Sequence, residues 1–168
     1  MARIDLNSNW SVFFKDPAAA TPQAVLMAKS LHDKILIPLL PVAGGYFEMV
    51  SGARTLEDIQ RLKAQGYHPS DTSDHLFGLF PPTAGASDVI PAVGCETFFA
   101  YICAHCDRSK GLITLPNEST VSVGQVIHEK NRTDWIHIAN PRRVFFPSAA
   151  GLPTLLQSLD NGVTYTRM

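Results

Sequence analysis

The chain has 168 residues, 45% of them hydrophobic and 17% charged, with a formal net charge of −1. Such a composition suits one packed domain and excludes a disordered chain. The near-neutral charge shows no basic stripe, so nucleic acid is not an expected partner. The longest apolar stretches, residues 35–40 and 95–103, are far shorter than the ~20 residues that span a bilayer. The opening Met1-Ala-Arg-Ile-Asp-Leu-Asn lacks the apolar core of a signal peptide, so synthesis in a cytoplasm is expected. Cys95, Cys103 and Cys106 do not suggest a disulfide framework, and Cys103-x-x-Cys106 lacks the further ligands of a structural zinc site. They read as small hydrophobes near a helix end.

Residues 1–16 are expected to lie along the surface. Thr21-Pro22 opens a helix, with Thr as cap and Pro in the first turn. Ala24, Leu26, Met27, Leu31, Ile35 and Leu36 follow roughly helical spacing, and Pro38 and Pro41 should end it. Gly44-Gly45 is a turn, 46–50 a short strand, and Ser51-Gly52-Ala53-Arg54 follows. Residues 55–65 predict a second helix, capped by Thr55 and stopped by Gly66. Residues 66–92 are rich in Pro, Gly, Ser and Asp without periodicity, which predicts a long loop of the kind that is often functional. Residues 94–105 are apolar nearly all round and predict a buried helix. Residues 120–129 and 135–139 alternate as strands around a turn at 130–133, and 143–146 and 162–165 predict further strands. The irregular order of helices and strands predicts an α+β fold, with a small, mainly antiparallel sheet flanked by helices.

Three chemistry-bearing residues, His75, Asp88 and His137, fall at expected strand or loop ends. Two histidines, one carboxylate and an open position for water form the ligand set of a catalytic zinc ion. Such an ion makes water nucleophilic near neutral pH, and a nearby carboxylate can move the proton to a leaving amine. Ligands from distant segments leave no local signature, so each residue alone carries little.

The order of the pieces carries more. Ser51-Gly52-Ala53-Arg54, Ser73-Asp74-His75-Leu76-Phe77-Gly78, Ala86-Ser87-Asp88, and Glu129 before Trp135-Ile136-His137 occur in succession. This series resembles the zinc D-Ala-D-Ala carboxypeptidase and phage-lysin peptidases, with S-G-x-R, S-x-H-x-x-G-x-A-x-D, and a Glu shortly before W-x-H. The opening D-L-N-S-N-W-S-V-F-F, residues 5–14, is similar to that of phage-type members, although their acidic residue is missing. The likeness spans nearly the whole chain.

The resemblance implies a Hedgehog-like zinc peptidase domain over residues 1–168, with one Zn2+ on His75, Asp88 and His137. Arg54 would meet the substrate carbonyl or its developing charge, a task suited to a fixed multi-donor cation, and Ser73 and Trp135 would line the substrate site. The implied substrate is a peptidoglycan peptide, cut by a phage or prophage enzyme made in a bacterial cytoplasm and acting after lysis or within a virion. The other reading is a non-catalytic metal-binding structural or interaction domain of the same fold. The sequence does not specify an oligomeric state.

One departure concerns the aspartate. The family pattern separates its first His and Asp by six residues, whereas Leu76 to Ser87, twelve residues, separate His75 from Asp88. Residues 76–87 therefore read as an inserted loop, and a loop can return its end to the same place at modest entropic cost. Asp74 is the competing carboxylate, but neighbours on a strand face opposite sides. Its ordinary role would be a solvated or turn-capping side chain.

Two acids precede His137. Asp134 is three residues away and would face the opposite side of a continuous strand. With a three-residue turn at 131–133, Glu129 would oppose Trp135 and share the face of His137; a two- or four-residue turn would reverse that. Glu129 is thus the preferred base and Asp134 the alternative. His128 should point away from Glu129.

Overall fold

A computed structural model describes residues 1–130, 134–160 and 162–168. It confirms a mixed α and β chain. Strand β1 (Ala2–Ile4) pairs antiparallel with β2 (Phe47–Ser51). Between them, α1 (Pro22–Lys29) begins at Thr21, whose hydroxyl accepts from Ala24 N–H. A π-helical stretch, Ser30–Leu36, leads into α2 (Ile37–Ala43). Helix α3 (Leu56–Ala64) starts on a reciprocal Thr55–Asp58 capping box. Then follow β3 (Ala86–Pro91), α4 (Cys95–His105), β4 (Cys106–Asp107), β5 (Leu112–Thr114) and β6 (Thr120–Ser122). The chain finishes with β7 (Gln125–Lys130), β8 (Asp134–Ala139), α5 (Arg142–Phe145), β9 (Leu155–Ser158) and β10 (Thr166–Arg167).

Among the described residues, the main sheet has seven strands in the order β1-β2-β3-β8-β7-β9-β10, and β4-β5-β6 form a small second sheet. Every pairing is antiparallel except β7 with β9. Alternation divides the main sheet into two faces. Phe47, Val89, Val126, Ile136 and Ile138 join the buried core with Leu31, Leu36, Leu39, Phe98 and Ile102 of the helices. Phe47 and Phe98 meet edge to face, with ring centroids 5.5 Å apart; burying each such ring stabilises by roughly 1.5–3 kcal/mol. The opposite face carries Asp88, His137 and Glu129. No helix among the described residues is long and apolar enough to cross a membrane.

Several expectations are corrected. Residues 1–16 are not confined to the surface: Ala2–Ile4 pairs in the sheet, and Ile4 and Phe13 are buried. Pro38 and Pro41 do not end the first helical run. Pro38 falls in the first turn after the π-helical step, where a missing donor is least disruptive. The run stops instead at left-handed Gly44 (φ 85°), whose N–H closes on Leu40 O. The expected long loop contains β3, a central strand whose small and polar Ala86-Ser87-Asp88 gave no strand pattern. Residues 76–87 do not simply bulge outward: Leu76, Phe77, Thr83 and Ala84 are buried, and only the tip near Leu79 and Phe80 is exposed.

Helix α4 buries one face, Cys95, Phe98, Phe99 and Ile102, rather than all sides. The expected strand 120–129 is two strands interrupted at Gly124. There the chain passes so close to Asn140 that an added Cβ would lie 2.2 Å from its carbonyl oxygen. Residues 142–145 form a helical turn after Pro141, not a strand. The last strand is Thr166–Arg167, and β9 was missed. Lys130 belongs to β7, and residues 131–133 of the expected turn lie outside the described residues.

Candidate metal centre

The sheet register gathers the site. Ser51 pairs with Asp88, Asp88 with His137, and His137 with Ile127, two residues before Glu129. A register shift between Met49 and Ser51 adjusts the end of β2 so that Ser51 stands beside Asp88. His75 reaches the same point from a 3-10 turn, Asp74–Leu76, capped by Ser73, whose Oγ accepts from His75 N–H at 3.3 Å.

The donor atoms converge. His75 Nε2 lies 3.1 Å from Asp88 Oδ1 and 3.2 Å from His137 Nδ1, and His137 Nδ1 lies 3.0 Å from Asp88 Oδ1. All three residues are buried, and among the described residues they form a group able to hold one metal ion. Around a four-coordinate ion with bonds of about 2.0–2.1 Å, neighbouring donors lie about 3.3 Å apart, close to this triangle.

The tautomer strengthens the fit. His75 Nδ1 is 2.7 Å from Gly52 O, and a carbonyl oxygen only accepts, so Nδ1 carries the proton. In neutral His75, Nε2 then presents a lone pair to a carboxylate oxygen and a second imidazole. That arrangement calls for a cation, and a backbone carbonyl on the far nitrogen is the usual support of a metal-bound imidazole.

Local charge reinforces it. Burial alone would raise the Asp88 pKa, but the charge of His75 when protonated, the Arg54 guanidinium and the hydrogen bonds that protonated imidazoles would donate hold it well below the usual carboxylate range. Burial pushes His75 down, against the pull of Asp88. Burial opposes protonation of His137 too, yet Asp88 and Glu129 outweigh it and raise His137. Glu129 is raised by burial and by the Asp88 charge.

Arg54 is fastened to the centre. Its Nη2 donates to Asp88 Oδ2 at 2.7 Å and its Nε to Ser51 Oγ at 3.1 Å, leaving Asp88 Oδ1 to the histidines. The backbone of the same segment supports His75 twice, through Gly52 O and through Arg54 N–H donating to His75 O at 2.8 Å. Gly52 has no room for a side chain: an added Cβ would lie 2.4 Å from Phe13 O and 2.8 Å from Phe13 Cα. That close approach explains Gly between Ser51 and Ala53.

The two candidate bases part company. Glu129 opposes Trp135, and Trp135 Nε1 donates to Glu129 Oε2 at 3.1 Å. Asp134 opposes Lys130 on the other face and meets His128 Nε2 at 2.7 Å. His128 is buried there against Phe99, away from Glu129. Asp74, expected to be solvated or turn-capping, is instead 4% exposed: it pairs with Arg142 Nε at 3.0 Å and accepts Ala84 N–H at 2.7 Å. It thereby latches the start of segment 76–87 to its end, and lies outside the ligand group.

Arg54, Ser73, Glu129, Trp135 and the candidate ligands His75, Asp88 and His137 line one cleft of about 780 Å³. So does Tyr165, which the sequence reading missed; its proximity to Glu129 depends on the parallel β7–β9 pairing, for which no local motif exists. No protein-family model matches the chain, and neither curated proteins nor solved structures yielded a match.

Proposed function

We propose that the chain is a zinc-dependent peptidase with a Hedgehog-like peptidase fold, hydrolysing an amide bond in peptidoglycan stem or cross-link peptides. The observation that carries the metal is the convergence of His75 Nε2, Asp88 Oδ1 and His137 Nδ1, with His75 Nδ1 on Gly52 O. The wall substrate and the phage or prophage origin rest on the resemblance of the ordered motifs.

Bound zinc would supply the Lewis acidity that makes water nucleophilic near neutral pH. Glu129 would accept a proton from the attacking water at its carboxylate and deliver it to the amide nitrogen as the C–N bond breaks. Its raised pKa suits a group that must hold that proton in passing. Arg54 would keep Asp88 oriented and present its remaining donors to the substrate carbonyl. Ser73 and Trp135 would form parts of the cleft wall.

The test combines metal analysis with digestion of purified peptidoglycan and mass analysis of the fragments. The expected result is about one zinc per chain, new paired amine and carboxyl ends, and loss of metal in His137→Ala. Stoichiometric zinc with no cleavage of walls of several stem-peptide chemistries would overturn the peptidase and leave the non-catalytic metal-binding domain. Full zinc retention by His137→Ala would overturn the site.

A further inference from the structure

Across the open face of the sheet, Asp88 on β3, His137 on β8 and Glu129 on β7 follow one another, with Arg54 just beyond the end of β2. Beyond Glu129 the parallel register brings Ser158 beside it. From Ser158 the chain turns around Asp160. Asp160 Oδ1 accepts from Ser158 Oγ at 2.9 Å and from Thr164 N–H at 2.9 Å, and Ser158 Oγ accepts from Gly162 N–H at 2.8 Å. Tyr165 comes next, just before β10 pairs back onto β9. Tyr165, partly exposed, lines the same cleft as Asp88, His137 and Glu129. An added Cβ on Gly162 would sit 2.7 Å from the Tyr165 hydroxyl oxygen and 3.6 Å from Glu129 Oε2, so both groups crowd one point.

The hydrogen-bond donors of this cleft differ in what they already hold. Trp135 Nε1 is occupied by Glu129, and Arg54 uses Nη2 and Nε on Asp88 and Ser51. The Tyr165 hydroxyl, which lines the same cleft, has no hydrogen-bond partner among the described residues. Amide hydrolysis gathers negative charge on oxygen at the carbon under attack, and fixed donors aimed there are a large part of catalysis. Here the surrounding carboxylates, Asp88 and Glu129, oppose that charge.

We infer that Tyr165 is a catalytic residue whose hydroxyl donates a hydrogen bond to the anionic oxygen of the tetrahedral centre, on the Glu129 side of the cleft. The inference rests on the metal-dependent hydrolase reading above. The phenol keeps its proton throughout, so it acts as a neutral donor and no bond to it forms or breaks. Burial and the charges of Glu129, Asp88 and Asp160 push the Tyr165 pKa up to about 12, in keeping with a protonated donor near neutral pH.

Tyr165→Phe removes the oxygen and retains the ring, and two measurements test it. In the first, acetohydroxamate, a small oxyanion that binds zinc, is titrated into the zinc-loaded wild type and variant at equal metal content. Loss of a hydrogen bond to a charged oxygen should weaken binding roughly 10-fold or more. In the second, peptidoglycan cleavage should fall about 100-fold in kcat with KM little changed. Equal hydroxamate affinity in the two proteins would overturn the assignment of Tyr165. Weaker hydroxamate binding by the variant, in a protein that cleaves no amide, would sustain the oxyanion contact and overturn the peptidase instead.

Discussion

Gly52→Ala tests the support of the candidate metal centre without touching His75, Asp88 or His137. The added Cβ would lie 2.4 Å from Phe13 O, whereas ordinary contact begins near 3.4 Å, so the backbone must yield by about 1 Å. A shift of that size at Gly52 would stretch or misalign the 2.7 Å contact of its carbonyl with His75 Nδ1. Loss of such an outer partner typically weakens metal binding by roughly 10–100-fold, or about 1.4–2.7 kcal/mol. Crowding adds a stability loss of about 1–3 kcal/mol in the metal-free protein. Metal affinity is read by competition with a chromophoric chelator, and stability by thermal unfolding of the apo form. Gly151→Ala is the control, since nothing lies within 4 Å of its added Cβ. A folded Gly52→Ala protein with wild-type metal affinity would refute the claim that Gly52 O orients His75.

Three further outcomes are expected. Glu129→Gln should keep its metal and lose roughly 10²–10⁴-fold in kcat, while Asp134→Asn should retain turnover; the reverse pattern in peptidoglycan digestion would make Asp134 the base. Asp74→Ala removes a buried partner of Arg142 and of Ala84 N–H and should cost about 3 kcal/mol or more, roughly 6–12 °C in Tm; a change under about 2 °C by calorimetry would refute the latch. Metal binding requires neutral imidazoles, and His137 is held above its ordinary value of 6.5 whereas His75 lies below it. Protons therefore compete chiefly at His137: affinity should rise with pH through and above 6.5, by about tenfold per unit below the His137 pKa, and flat affinity between about pH 6 and 8 would contradict this.

The sequence made some parts of the molecule legible and hid others for physical reasons. His75, Asp88 and His137 could be named because they occur in an ordered series of motifs, whereas alternation gave the Glu129–Trp135 register only on condition of a three-residue connection, the case that the Lys130–Asp134 pairing realises. Thr21 and Thr55 announced their helices because capping is local chemistry. Strand β3 went unseen because Ala86-Ser87-Asp88 owes its place to the neighbours on either side, not to its own β propensity. The Asp74–Arg142 pair joins residues 68 apart, and no spacing rule connects them. Arg54 was singled out by its Ser51-Gly52-Ala53-Arg54 setting, but its grip on Asp88 Oδ2 emerges only when β2 and β3 are paired.

His75 and His137 stand 62 residues apart in the chain, yet their ring nitrogens are 3.2 Å apart. An ion seated between them would act as a removable cross-link, closing a long loop in the same entropic sense as a disulfide. It would bind the completed sheet far better than any unfolded form, so durability would follow ion supply: free metal at 100 times its dissociation constant adds about 2.7 kcal/mol. Chelation should accordingly lower resistance to heat and proteases as well as activity, and restored metal should return both.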